Sequence, residues 1–294
     1  MKTIKTKLDY DNGENVVPEG SFRISASGIA RFITDGNAWW RENLLGESGF
    51  TGSTASVLGT LVHYCAERYA LTSTFSDDDK SEVANYLLKH TDPEYKEYNP
   101  DVDKSIIDNQ FPIMAQNLIN SYVSSNMPTE VEPFVAHEIK PNIFVGGSID
   151  ALEGVYINEP IPGSPVTSSG TIVDYKTTSM IKLPDTIKYE YRLQLLTYAW
   201  VLKQKGINID RIRIVYVSRD KPGAISEKTG KQLKSYPSQV KVLTENILEQ
   251  DLEYIDGIIN LIADSIERWN STPEDRYLLA KDYRLKIQDT NLFK

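Results

Sequence analysis

The chain has 294 residues, of which 40% are hydrophobic and 25% charged, and its net charge is −9. This length predicts about two domains or one large one, and this composition excludes a disordered or fibrous chain. The only cysteine, Cys65, excludes an internal disulfide, a four-cysteine zinc site and a cysteine-ligated iron–sulfur cluster. The sequence has no long apolar run and no apolar signal segment, which predicts a soluble protein without membrane contact.

The first part of the chain predicts helices. Residues 1–20 are expected to form an irregular arm. Ser25 and Ser27 are both possible N-caps for a short helix, and a second short helix that carries Trp39 and Trp40 is expected to end near Gly46. Apolar residues at helical spacing predict a central helix over 55–70, and two further helices are expected over 79–91 and 103–125.

The chain changes character after Pro128, where short segments rich in β-forming residues begin. The predicted elements are, in order, strands over 131–139, 142–147 and 149–157, a Pro/Ser-rich loop over 158–169, a buried strand over 171–176, a helix over 187–205, a strand over 210–218, a basic loop over 219–241 and a long amphipathic helix over 243–270.

This order of elements predicts an α/β (α+β) fold, in which helices flank a mixed β-sheet next to a helical N-terminal lobe. We expect four regions along the chain. They are an N-terminal arm (1–20), a helical lobe (21–128), a sheet core (129–242) and C-terminal helices that pack on the core (243–294).

Two aspartates and a lysine carry the first candidate chemistry. Asp150 and Asp174 fall on successive predicted strands, so antiparallel pairing would bring their carboxylates together. Facing carboxylates require protonation, a cation or a metal, and oxygen-rich sites suit Mg²⁺ or Mn²⁺. Lys176 shares the face of Asp174 and could orient a water or stabilise developing charge on a phosphate. The alternative is a structural Asp–Lys pair at a strand end.

His63 lies in the central predicted helix among small and apolar residues. Glu67 is four residues further on and shares its face, so it could orient the imidazole or reach a metal-bound water. The alternative for His63 is a packed, hydrogen-bonded core residue. Tyr64 and Arg68 are expected on a different flank of this helix.

Gln194 and Tyr198 form a similar i, i+4 pair on the helix that follows the 171–176 strand. Together they could bind a phosphate, a base or the site carboxylates, or they could simply lie at the boundary of an amphipathic helix. Lys182, Lys188 and Arg192 are close in sequence and could track a phosphate backbone.

Charge is unevenly distributed. Residues 176–241 contain 14 Lys/Arg and 5 Asp/Glu, so this stretch carries +9 and the remainder −18. Because salt screens charge beyond roughly 10 Å, a basic stretch on an acidic protein can still contact a polyanion. The alternative is that these lysines only keep a helix and a loop solvated.

Four motifs in order resemble a known family. They are G-T-L-V-H-x-x-x-E (59–67), G-x-x-D (147–150), D-Y-K (174–176) and Q-x-x-x-Y (194–198). This set resembles the RecB-like branch of the PD-(D/E)XK nuclease superfamily, which includes stand-alone Cas4-type, mitochondrial genome-maintenance and phage exonucleases. The resemblance spans roughly residues 25–220 and implies a restriction-endonuclease-like fold.

The resemblance also implies roles for individual residues. His63, Asp150, Asp174 and the backbone carbonyl of Tyr175 would bind Mg²⁺ or Mn²⁺, and Lys176 would be the catalytic lysine. Gln194 and Tyr198 would support the site and contact DNA. Many relatives also hold an iron–sulfur cluster, but Asn37 stands about where its first cysteine would fall, so we expect a cluster-free member.

The function expected from the resemblance is metal-dependent hydrolysis of DNA by an exonuclease in recombination, repair or replication. Two alternatives remain open: a nuclease-fold protein that binds DNA or a partner without cleavage, and a restriction-type endonuclease. The expected partners are single-stranded DNA or duplex ends, together with a recombination or replication protein. The expected location is the cytoplasm, or the host cytoplasm if a phage encodes the chain.

Overall fold

The computed structural model describes residues 17, 18, 20–44, 52–157, 169–223 and 230–271. Most of the predicted N-terminal arm, the predicted helix end near Gly46, most of the 158–169 loop and the chain beyond residue 271 lie outside the described residues.

Seven helices are present in this part of the chain. They are α1 (Ala26–Thr34), α2 (Gly36–Leu44), α3 (Thr54–Thr72), α4 (Asp77–Thr91), α5 (Lys104–Ser121), α6 (Tyr189–Gln204) and α7 (Glu249–Ser271), and a single 3₁₀ turn over Val123–Ser125 follows α5. Of the two predicted caps of α1, Ser25 is the N-cap, since its side chain accepts a hydrogen bond from the backbone of Gly28. The helices predicted in the N-terminal part are therefore confirmed.

The strands form two sheets. They are β1 (Phe22–Ser25), β2 (Glu130–Val131), β3 (Phe134–Lys140), β4 (Ile143–Ser148), β5 (Ala151–Glu153), β6 (Gly170–Thr178), β7 (Ile209–Ser218) and β8 (Val240–Asn246). One sheet has three strands in the order β1–β4–β3, and the other has five in the order β2–β5–β6–β7–β8. Strands β6 and β7 are parallel and α6 connects them, whereas β5 and β8 run antiparallel to their neighbours. The architecture confirms a mixed α/β fold of the restriction-endonuclease type.

Alternate residues of β6 and β7 face two apolar cores, as the two-residue period of a strand requires. Ile172 and Ile214 belong to the core that includes α1, α6 and α7. Val173 and Val215 belong to the second core, with α3, α4 and α5. The central strands are thus covered on both faces, and any charged residue on them must be paired or functional.

Three predictions about the elements are wrong. Residues 240–246, predicted partly as loop and partly as the start of the long helix, form β8, because pairing with β7 satisfies their backbone groups and their alternating pattern suits an edge strand. The helix begins only at Glu249. The strand predicted over 149–157 is confined to Ala151–Glu153, and β1, which was not predicted, joins β4 in a second sheet instead of one continuous sheet.

None of the helices in the described ranges combines the length and apolar character that a membrane crossing needs.

Candidate active site

Strand β6 places two charged side chains side by side in the interior. Asp174 is 3% exposed, and Lys176 lies two residues further on the same face. The ammonium of Lys176 donates a hydrogen bond to Asp174 Oδ1 at 2.8 Å, and it also lies 2.8 Å from Oδ2. It stands 4.9 Å from the centre of the Tyr191 ring, which supplies a cation–π contact from α6. The predicted pairing of Asp174 and Lys176 on one face is therefore confirmed.

Asp150 lies next to this pair because of the strand register. Ala151 pairs with Val173 in the antiparallel β5–β6 ladder, so the next position of the register sets Asp150 opposite Asp174. Asp150 Oδ2 accepts a hydrogen bond of 2.7 Å from the backbone amide of Tyr175. The carboxylate is thereby fixed at the point where β5 and β6 separate.

His63 reaches the carboxylates from α3. Its Nδ1 lies 3.4 Å from Asp150 Oδ2, and its ring meets that of Tyr175 edge-on with centroids 5.9 Å apart. One turn earlier on α3, Gly59 allows the helix to approach β6 closely, since a Cβ at this position would lie 3.2 Å from Thr177 Oγ1. Small residues on this side of α3 thus bring the imidazole to the sheet.

Gln194 and Tyr198 approach from α6, on the other side of the sheet. The side chain of Gln194 hydrogen-bonds to the hydroxyl of Tyr198, which lies in the field of both site aspartates. Gly147 provides the space for this hydroxyl, because a Cβ there would lie 3.1 Å from Tyr198 Oη. The four predicted motifs therefore meet at one place, although they come from separate parts of the chain.

The electrostatics of the cluster are dominated by burial. Burial raises the pKa of Asp174 to about 6; Lys176 opposes this rise, whereas the charge of Asp150 adds to it. Burial acts to lower the pKa of Lys176, but the carboxylates of Asp174 and Asp150 outweigh this effect and raise the pKa. The cluster therefore favours bound positive charge.

The donor set is suited to a divalent cation. Asp174 Oδ2 is buried, makes no hydrogen bond within the described residues, and lies 2.8 Å from the ammonium of Lys176. Lys176 therefore supplies the positive charge that this buried oxygen needs, and a divalent cation would share the carboxylate with it. Among the described residues, no three His, Cys, Asp or Glu side chains stand close enough together to hold a metal as they are. His63, Asp150 and Asp174 nevertheless supply the imidazole and carboxylate donors that Mg²⁺ or Mn²⁺ accepts.

The remaining predicted site residues divide into two groups. Lys188 lies near the cluster, because its Nζ is 5.7 Å from the same Tyr191 ring that Lys176 contacts. Arg192 does not join the cluster: its guanidinium pairs with Glu245 and Asp251, each at 3.0 Å, which neutralise it. Its role as a phosphate contact stays a prediction.

Two further predicted residues, Lys182 and Glu67, lie on the surface and on α3. Lys182 lies near Asp185, at 3.9 Å, on the surface. Glu67 is half-buried on α3, one turn beyond His63. The carbonyl of Tyr175 stays a predicted ligand, since the contact seen at this residue is made by its amide.

Sequence reasoning missed Tyr191 and Glu132. No motif includes Tyr191, and only the structure shows its ring 4.9 Å from the ammonium of Lys176. Glu132 adopts a left-handed backbone with φ of 50°, and its amide donates to the carbonyl of Asp150 at 3.1 Å. Its charge contributes to raising the pKa of Tyr198, after burial and Asp150. No motif surrounds Glu132, but a non-glycine residue in this conformation often marks a functional site.

A model of the PD-(D/E)XK nuclease superfamily matches residues 23–275. The chain belongs to this superfamily. The match runs from β1 into the residues beyond α7 and includes all four motifs. No match was found among curated protein sequences.

Solved structures similar to this nuclease-family chain include a candidate exonuclease from Eubacterium rectale, with 16% identity, a TM-score of 0.48 and coverage of 87% of this chain and 86% of that one. An alkaline exonuclease from Laribacter hongkongensis has 13% identity, a TM-score of 0.33 and coverage of 75% and 93%. A phage-related exonuclease from Haemophilus somnus 129PT has 13% identity, a TM-score of 0.30 and coverage of 67% and 89%.

Proposed function

We propose that this chain is a Mg²⁺- or Mn²⁺-dependent deoxyribonuclease that acts as an exonuclease in DNA recombination, repair or replication. The observation that carries this proposal is the cluster in which the buried carboxylate of Asp174 contacts the ammonium of Lys176 and lies beside Asp150, whose carboxylate is 3.4 Å from His63 Nδ1. Two carboxylates and an imidazole brought together at a buried strand favour a bound cation.

His63, Asp150 and Asp174 would hold the metal. When bound, a divalent ion would polarise the phosphodiester and lower the pKa of a water. Lys176, held by Asp174 and by the Tyr191 ring, is placed to orient the attacking water and to stabilise negative charge that develops on the phosphate. Gln194 and Tyr198 would hold the carboxylates in place from α6.

DNA is the proposed substrate because the positive charge of the acidic chain is concentrated in the segment that carries the catalytic lysine. Residues 176–241 hold 14 basic and 5 acidic residues, and β6 and β7 lie within this segment. The exonuclease assignment rests on the order of the four motifs, which resembles that of the RecB-like branch.

The test is cleavage of end-labelled single-stranded and duplex linear DNA, and of closed circular DNA, in Mg²⁺, Mn²⁺ or EDTA. We expect degradation of linear DNA in either metal, none in EDTA, and a loss of roughly 10²–10³-fold in Lys176→Ala. Lys203→Ala is the matched control, because Lys203 pairs with Glu249 on the surface.

Equal degradation by the wild type and Lys176→Ala would refute the proposal. Opening of closed circles would identify an endonuclease instead. Binding of DNA that persists in EDTA, without cleavage in either metal, would identify a binding protein on a nuclease fold.

A further inference from the structure

The basic segment beyond β7 is attached to the sheet close to the candidate active site. The amide of Arg219 donates to the carbonyl of Thr178 at the end of β6, at 2.9 Å. Lys221 and Tyr236 exchange two backbone hydrogen bonds, each of 2.8 Å. Ser218 is bonded to Gln239 through both its amide and its hydroxyl. The described parts of the segment, 219–223 and 230–239, thus extend the β7–β8 pair and hold their side chains in fixed places.

A cavity of about 210 Å³ opens where this extension meets the ends of β6 and β7. Its lining residues are Ser179, Ile181, Ser218, Arg219, Asp220, Lys221, Tyr236 and Pro237. Small-molecule sites usually measure about 300–1,000 Å³. This cavity is therefore suited to one unit of a longer ligand, and its two cations, its hydroxyl groups and a single carboxylate favour an anionic unit.

The two cations of the cavity differ from many other basic residues of the described chain. Several of these are paired with carboxylates, as in Lys140 with Asp264 and Glu267, Arg192 with Glu245 and Asp251, Lys203 with Glu249, Arg213 with Glu153 and Lys241 with Asp185. Arg219 and Lys221 form no ion pair with any carboxylate of the described residues. Within the described residues, the cavity thus presents two cations to an anionic ligand.

The cavity also lies in line with the candidate active site. Lys176 pairs with Tyr216 in the parallel β6–β7 ladder, and Ser218 follows two residues later at the cavity wall. At about 3.3 Å per residue, Ser179 lies roughly 10 Å along β6 from Lys176. This distance is short enough for one DNA strand to reach from Lys176 to the cavity.

We propose that Arg219 and Lys221 form a phosphate subsite, which binds the DNA backbone close to the scissile bond. This inference rests on the proposed function for its substrate. The ring of Tyr236, with the ammonium of Lys234 at 5.2 Å from its centre, forms one wall of the subsite. Another wall comes from Ser179 and Ile181, which follow β6, so a strand bound here would continue toward Lys176.

The test is the salt dependence of DNA binding, measured by fluorescence anisotropy with labelled single-stranded and duplex oligonucleotides in EDTA. We expect Arg219→Gln/Lys221→Gln to bind about tenfold more weakly at low salt. Its slope of log K against log salt should be smaller by roughly 1.8 on duplex or 1.4 on single strands, because two phosphate contacts are lost. Arg219→Lys/Lys221→Arg, which keeps both charges, should retain the wild-type slope and separates charge from folding.

The control is Lys203→Gln/Lys205→Gln, which removes two cations at the end of α6. That helix carries the chain back from the end of β6 to the start of β7, so these lysines lie at the opposite end of the strands. An unchanged slope in Arg219→Gln/Lys221→Gln, an equal decrease in the control, or no measurable DNA binding by the wild type would overturn the subsite.

Cleavage is measured separately on the same proteins. Should the wild type fail to cleave DNA while the slopes differ as expected, the proposed function fails and the subsite stands. Should the wild type cleave DNA while the slopes are equal, the subsite fails and the proposed function stands.

Discussion

Two flanks of α3 each lie next to a buried aspartate, and the pKa values of the two aspartates shift in opposite directions. On one flank, Tyr64 and Arg68 contact Asp79 of α4. On the other flank, His63 faces Asp150 and, beyond it, Asp174. Asp79 and Asp174 are 4% and 3% exposed, so burial alone does not distinguish them.

The distinction lies in hydrogen bonding. Asp79 Oδ1 accepts from Tyr64 and Arg68, and Oδ2 accepts from the amide and the hydroxyl of Ser76. Burial acts to raise the pKa of Asp79, but the bonds from Ser76 and Arg68 outweigh it and lower the pKa to about 2. Burial raises the pKa of Asp174 to about 6, since Lys176 offsets burial only in part and the charge of Asp150 adds to the rise.

A buried carboxylate with several hydrogen bonds to each oxygen stabilises the fold, whereas one held beside a second carboxylate is kept at a cost in stability. The same helix thus separates a structural aspartate from the one that we propose as a metal ligand. The following changes test this comparison.

The largest expected effect is on catalysis by Asp174→Asn. The amide keeps the size of the side chain but removes the charge that would bind metal and hold Lys176, so we expect nuclease activity to fall by at least about 10³-fold. Activity is measured per folded molecule, with folding checked by circular dichroism. The matched variant Asp79→Asn should keep its activity per folded molecule. Similar losses in the two variants would contradict the comparison.

The next effect is on stability, and it falls on the other flank. The lowering of the Asp79 pKa from 3.8 to about 2 corresponds to about 2 kcal/mol of stabilisation at neutral pH. Asp79→Asn should therefore lower the free energy of unfolding by about 2 kcal/mol, and Tm by about 4–8 °C. Urea and thermal melts at pH 7 measure this change. A loss below about 0.5 kcal/mol would show that the hydrogen bonds to Asp79 do not stabilise the fold.

The sequence predicted much of this site because its residues lie in short motifs on regular elements. The period of β6 placed Lys176 beside Asp174, and antiparallel pairing placed Asp150 opposite. Helical spacing separated His63 from Tyr64 and Arg68, which the structure confirms. Local periodicity was sufficient wherever neighbours in the motif became neighbours in space.

Features that depend on distant partners were not predictable in the same way. Residues of β8 are predicted partly as loop and partly as the start of a helix, because their pairing with β7 cannot be derived from residues 240–246 alone. Arg192 is adjacent in sequence to the site, yet Glu245 and Asp251 hold it. Glu132 reaches the site through a left-handed turn that no motif signals. In each case the deciding partner lies far away along the chain or in an irregular turn.

The stabilisation that Asp79 provides should depend on pH with a defined sign. Its pKa is lower in the folded chain than in the unfolded one, so between these values the unfolded chain binds more protons. The stabilisation is complete above about pH 4 and is lost as pH falls through about 2. The stability difference between wild type and Asp79→Asn, measured with urea at a series of pH values, should stay constant from pH 7 to about 5 and decrease below about 4. A difference that grows on acidification would contradict this assignment.

The smallest effect, and the one that separates the two flanks most directly, is stabilisation by metal. At tenfold excess over its Kd, a divalent cation that binds only the folded chain adds about 1.4 kcal/mol, or about 3–5 °C in Tm. Mg²⁺ should produce this shift in the wild type and in Asp79→Asn, since both oxygens of Asp79 are already occupied by hydrogen bonds. Asp174→Asn should lose the shift, because its neutral amide no longer offers a charged oxygen to the cation. Scanning calorimetry with Mg²⁺ against EDTA measures the Tm shift in all three proteins. A shift that disappears in Asp79→Asn but persists in Asp174→Asn would place the metal on the Asp79 flank of α3 and contradict the proposed site.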